Sequence, residues 1–224
     1  MKASDFLKQL EQDPEYKERQ VQNNKKTQEK LVEVKAIETP FINDLHAKGF
    51  TEIESVSDLL KLKKINSTLT ALLLKWVPNI DNKYNSQEIV VRGLAIAEEP
   101  FDGTLLMQLF DSLDTSFALK WAIGNTIASA QVENVTNWVE QKLTTNPGKE
   151  SEMLIYAAIK YFTYEKASNI LKKLFKVFPL QVADAFTYIG KKEDLEFLKK
   201  NNKEYKGEMK DRIDSAIKKL KAKV

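Results

Sequence analysis

The chain is expected to fold as an all-α array of antiparallel helix pairs, an α-solenoid. Three observations predict it. From about residue 66 onward, apolar residues recur at helical spacing in ten successive stretches. The connections between them are short and polar, such as PNIDNKYN, EEPFD and TTNPGK, as antiparallel helical hairpins require. A small residue followed by a large apolar one recurs at Gly93-Leu94, Ala122-Ile123, Ala158-Ile159, Ala185-Phe186 and Ala216-Ile217, in steps of 29, 36, 27 and 31 residues. The small residue lets neighbouring helices approach, and the large one fills the space between layers.

Composition agrees with this class and excludes several functions. The 224 residues are 42% hydrophobic and 30% charged, enough for a core and for solubility. Seven glycines and six prolines are too few for the frequent turns of an all-β fold. The formal net charge is +3, from 35 basic and 32 acidic residues, which is not a nucleic-acid signature. Only Arg19, Arg92 and Arg212 are arginines, the better fork for phosphate. Without cysteine there is no disulfide, thiolate metal site, iron–sulfur cluster or thiol catalysis. No cofactor and no metal is expected. MKASDFLKQLEQDPEYKE has no apolar h-region, and the aliphatic run Ala71 to Leu74 is too short to cross a bilayer. A cytoplasmic chain with no membrane partner is expected.

Residues 1–65 read as an N-terminal helical cap, continuous with an array over 66–224 in a single domain. Ser4 can cap a short first helix. Asp13 and Pro14 start a second, a cap followed by a first-position proline. That helix is long and highly charged, with Tyr16, Val21, Leu31, Val34 and Ile37 as one thin stripe expected to be buried. Thr39 and Pro40 are expected to restart a helix that stops at Gly49. SVSDLLKL reads as a short helix with Ser55 as its cap. Helices of the array are then expected at 67–77, 85–98, 103–113, 116–130, 132–143, 150–162, 166–178, 180–190, 192–200 and 206–222.

FALKWAIGNTIASA, residues 117–130, is the most informative of these. On a helical wheel centred on Ile123, Leu119 and Ile127 fall within about 40° and form the buried stripe. Trp121 and Asn125 fall nearly opposite, and Gly124 lies between the faces, where it can admit a neighbouring backbone. The same register on the other second helices gives two rows. One is Arg92, Trp121, Ala157, Asp184 and Ser215; the other is Ile96, Asn125, Tyr161, Tyr188 and Lys219. Arg, Trp and Tyr are enriched at interaction hot spots. The candidate binding stripe is therefore Arg92, Trp121, Asn125, Tyr161, Asp184 and Tyr188. Two placements of Trp121 fit the pattern, on a concave groove or in the core between repeats.

The helix-pair period resembles HEAT and armadillo-type repeats. DPEYKERQ, ETPFINDLHAKGF, SVSDLL, VVRGLAIAEEP and ALKWAIGNTIA together resemble a group of small bacterial HEAT-repeat proteins of unknown role. The resemblance implies a superhelix of antiparallel helix pairs and implies no chemistry.

No catalytic constellation stands out. His46, the one histidine, sits near a helix end where its charge suits the dipole. Glu98-Glu99 and Glu193-Asp194 read as capping and surface carboxylates. PGKES lacks the upstream glycine of a phosphate loop. Residues 191–224 hold twelve Lys or Arg against seven Asp or Glu, a charged terminal helix that closes the array. The expected function is a non-enzymatic scaffold for a protein or peptide on the concave face. The alternative is nucleic-acid binding, in the manner of the similar HEAT-like DNA alkylation-repair glycosylases; a weaker one is an enzyme with Asp184 as general base. The oligomeric state is open.

Overall fold

The computed structural model describes residues 13–224; the helix expected after Ser4 lies outside them. The chain divides into two compact units, one ending at Val56 and the other spanning Ser57–Val224.

The first unit is built on one helix, α1 (Pro14–Ala47). The Asp13 carboxylate caps it by accepting the Glu15 N–H at 2.9 Å, and Pro14 occupies the first turn, where its missing N–H costs nothing. The expected restart at Thr39-Pro40 does not occur, because α1 runs through Pro40. A proline removes one intrahelical donor. Here the Thr39 hydroxyl donates to the Lys35 carbonyl at 2.6 Å, and Phe41, Ile42 and Leu45 are buried in the turns that follow. The expected apolar stripe is not buried: Val21 is 67% and Leu31 55% exposed, and Glu38 is the first buried residue of the helix. Tyr16, Val34 and Ile37 of the stripe are half-buried. The helix ends where expected. Gly49 takes φ +93°, and the Phe50 N–H closes on the Leu45 carbonyl at 3.0 Å. His46 Nε2–H donates to the Ile53 carbonyl at 2.9 Å, and buried Glu38 accepts the Val56 N–H at 3.0 Å. Both are structural bonds.

The second unit is all-α. The expected SVSDLLKL helix is a short 3-10 helix, Val56–Lys61. Five helix pairs follow: α2 (Ser67–Trp76) with α3 (Ser86–Leu94), α4 (Thr104–Asp111) with α5 (Phe117–Ser129), α6 (Thr136–Thr144) with α7 (Leu154–Tyr161), α8 (Tyr164–Leu174) with α9 (Pro179–Ile189), and α10 (Lys192–Asn201) with α11 (Gly207–Lys221). Their starts follow local chemistry. Asn66, Ser116 and Thr163 cap α2, α5 and α8 through their side-chain oxygens, and Pro179 opens α9.

Each first helix packs on its own second helix, and the second helices also pack in series, α3 on α5, α5 on α7, α7 on α9 and α9 on α11. The linkers repeat the same translation. Two-residue strands β1 (Phe101–Asp102) and β2 (Val132–Glu133) pair in parallel, with Phe101 opposite Val132, and Ile65 bridges Ala97 in the same sense. Successive first helices are cross-linked by ion pairs, Lys142–Asp111 and Lys166–Glu140 at 2.6 Å and Lys172–Asp194 at 2.8 Å.

The core lies between the helices of each pair and along the second-helix row. Of the expected doublets, Gly93-Leu94, Ala122-Ile123 and Ala185-Phe186 are buried in both members, whereas in Ala216-Ile217 the alanine is buried and the isoleucine half-buried. In α7 the buried doublet is Ala157-Ala158, while Ile159 is half-buried. The expected pair, Ala158-Ile159, was one residue too late. Gly124 marks a close approach. A Cβ there would stand 3.0 Å from Met153 Cβ and 3.6 Å from the Leu154 nitrogen, so α5 meets the chain entering α7 almost backbone to backbone.

Candidate functional site

The one-residue shift in α7 changes which side chains share a face. With Ala157-Ala158 set beside Ala122-Ile123, the rows become Arg92, Trp121, Tyr156, Asp184, Ser215 and Ile96, Asn125, Lys160, Tyr188, Lys219. Two adjoining clefts lie on that face. The larger, of about 720 Å³, is lined by Trp121, Asn125, Tyr156, Lys160, Asp184 and Tyr188 together with Glu152, Met153 and Ile159. The smaller, of about 330 Å³, shares Tyr156, Gln181 and Asp184 and continues to Arg212, Ser215 and Lys219.

Four of the six sequence-derived site residues, Trp121, Asn125, Asp184 and Tyr188, therefore line one cleft. Arg92 stands beside it, its guanidinium carbon 5.0 Å from the Trp121 ring centroid and its Nη2 2.6 Å from Glu88 Oε1. Tyr161 is directed elsewhere. Its hydroxyl accepts the Val132 N–H at 3.0 Å and donates to the Ile127 carbonyl at 3.2 Å, tying α7 to the end of α5 and to β2. Ala157 is fully buried. Tyr156 and Lys160 take these two positions. The signal that could have found them is the alanine doublet itself. Two small residues in succession give the small-large rule one residue of slack, and a 3-10 segment (Lys149–Met153) leads into the helix with fewer residues per turn than an α-helix.

The cleft is aromatic and charged. The Tyr156 hydroxyl donates to Asp184 Oδ2 at 3.1 Å. Burial holds that phenol well above its ordinary range, and the negative charge of Asp184, with Tyr188 and Glu152 nearby, adds to the effect. Lys160 lines one wall, but its ammonium donates to the Ser129 carbonyl at 3.3 Å and to the Ala130 carbonyl. It satisfies the C-terminal end of α5, and burial lowers its pKa. Lys223 does the same for α9 through the Thr187 and Tyr188 carbonyls. Met153, Ile159 and the faces of Trp121 and Tyr188 supply apolar surface.

Three of the carboxylates singled out in the sequence have structural partners. Glu98 pairs with Lys64 at 3.0 Å. Glu193 accepts the Tyr164 hydroxyl at 2.8 Å. Asp194 is fully buried and accepts from Tyr164, Ser168, Lys172 and the Lys191 N–H. Among the described residues, no group of three His, Cys, Asp or Glu could hold a metal ion, and no helix is long and apolar enough to cross a membrane. No family profile matches the chain, and neither a curated protein nor a solved structure does.

Proposed function

We propose that Ser57–Val224 is a HEAT-like α-solenoid that holds an extended polypeptide segment along its row of second helices, without catalysis. One observation carries this reading. Residues at one repeat register, from α5 through α7 and α9 to α11, converge on two adjoining clefts of mixed aromatic and charged character. Tyr and Trp are the side chains that give peptide contacts most area for least lost freedom. The serial packing of the second helices and the parallel linker bridges support the repeat architecture. Nucleic acid fits the face less well, because Glu152 and Asp184 stand in it.

The test is retention of a pooled library of acetylated, amidated peptides on immobilised protein, compared with a Trp121→Ala, Tyr156→Ala double variant shown to be folded by circular dichroism. Retention by the wild type that is lost in the variant supports the reading. No retention, or equal retention by both, overturns it, and salt-sensitive capture of duplex DNA on this face would replace it.

A further inference from the structure

The charges along the two clefts are sorted. Glu152 stands in the larger cleft with three aromatic rings, those of Trp121, Tyr156 and Tyr188, and Asp184 lies where the two clefts join and lines both. Arg212 and Lys219 stand in the smaller one. None of these four charged residues belongs to an ion pair among the described residues. Asp184 gives one oxygen to Tyr156, and the positive charge of Lys160 is already directed at the end of α5. The larger cleft therefore presents carboxylate and aromatic faces, the surroundings that attract an organic cation. The smaller presents two cations against the one shared carboxylate of Asp184, a net positive surrounding that attracts a further carboxylate.

Building on the peptide-binding reading, we infer that the segment is dipolar: a Lys or Arg side chain enters the cleft of Glu152, Asp184, Trp121 and Tyr188, and an Asp or Glu side chain of the same segment meets Arg212 and Lys219. The spacing follows from helix packing. The clefts are offset by one helix step, α5–α9 against α7–α11. Packed helices lie about 8–10 Å apart, and an extended chain advances about 3.3 Å per residue, so the two charged positions are about three residues apart. The three steps from α5 to α11 then accommodate a segment of about nine residues.

The experiment measures fluorescence anisotropy with acetylated, amidated peptides of that length in three forms: Lys and Glu about three residues apart in either order, both positions replaced by Gln, and the same pair placed adjacently. Wild type is expected to bind one order of the spaced pair about tenfold more tightly than the Gln form. In Glu152→Lys and in Arg212→Glu that advantage is lost, and it returns when the peptide charge facing the substitution is reversed. Arg212 is exposed and Glu152 half-buried, so neither change opens the core. If the Gln peptide binds as well as the charged ones, or the adjacent pair binds as well as the spaced pair, the dipolar inference is overturned while peptide binding stands. If no form binds, both fail together.

Discussion

Arg92 and Trp121 sit on neighbouring second helices, and the guanidinium carbon of one lies 5.0 Å from the ring centroid of the other. Glu88 holds the same guanidinium at 2.6 Å, so a cation–π contact and an ion pair share one charge. One face of the Trp121 ring is thereby covered from α3, and the residue also lines the cleft. It is half-buried, whereas Leu119 of the same helix is 1% exposed.

This contrast predicts different costs within one helix. Leu119→Ala should destabilise the protein by about 2–5 kcal/mol through lost transfer energy and a cavity. Trp121→Ala should cost about 1–2 kcal/mol and leave the far-ultraviolet circular dichroism unchanged, since solvent already reaches part of the ring. Urea denaturation of both variants measures the difference. Equal costs, or loss of helicity in Trp121→Ala, would place Trp121 in the core between repeats.

Tyr156 and Tyr161 lie five positions apart on α7 and differ in role. Tyr161→Phe leaves the N–H of buried Val132 without its partner and should cost about 1–3 kcal/mol in urea denaturation, with peptide retention unchanged. Tyr156→Phe removes a hydroxyl from the half-buried cleft wall and should cost less than about 1 kcal/mol, while releasing the Asp184 carboxylate that its hydroxyl engages. The reverse ranking would return Tyr161 to the binding face and remove Tyr156 from it.

The helices were readable because amphipathic period, short polar loops and caps such as Asp13 and Ser116 act locally. Pro40 was misread because sequence shows the missing donor but not the burial of the residues that follow. The face that carries the clefts was readable on α5 and α9, where a small residue is followed by a bulky one, Ile123 or Phe186, and the register is unambiguous. It was misread on α7, where Ala157 and Ala158 are both small and only packing decides which pair is buried. The cation pair of the smaller cleft was half visible. Lys219 fell in a row, but Arg212 lies about two turns earlier on α11, outside both rows. Pairing across repeats, such as Lys172 with Asp194, has no local signature at all.

Asp194 makes the fold sensitive to acid. Burial alone would raise its pKa. The ammonium of Lys172, the Lys191 N–H and the hydroxyls of Ser168 and Tyr164 outweigh burial and hold the carboxyl below its ordinary range. A depressed folded-state pKa favours folding fully above the unfolded value of about 3.9, and that contribution is lost as pH falls through the folded value. Asp194→Asn keeps the shape but not the charge. It should therefore lower stability at neutral pH and flatten the decline of the urea midpoint between about pH 5 and pH 3. Asp194→Ala also strips partners from two hydroxyls and from part-exposed Lys172, and should cost about 3 kcal/mol at neutral pH. Parallel declines of wild type and Asp194→Asn through the acid range would show that other carboxylates carry the acid response.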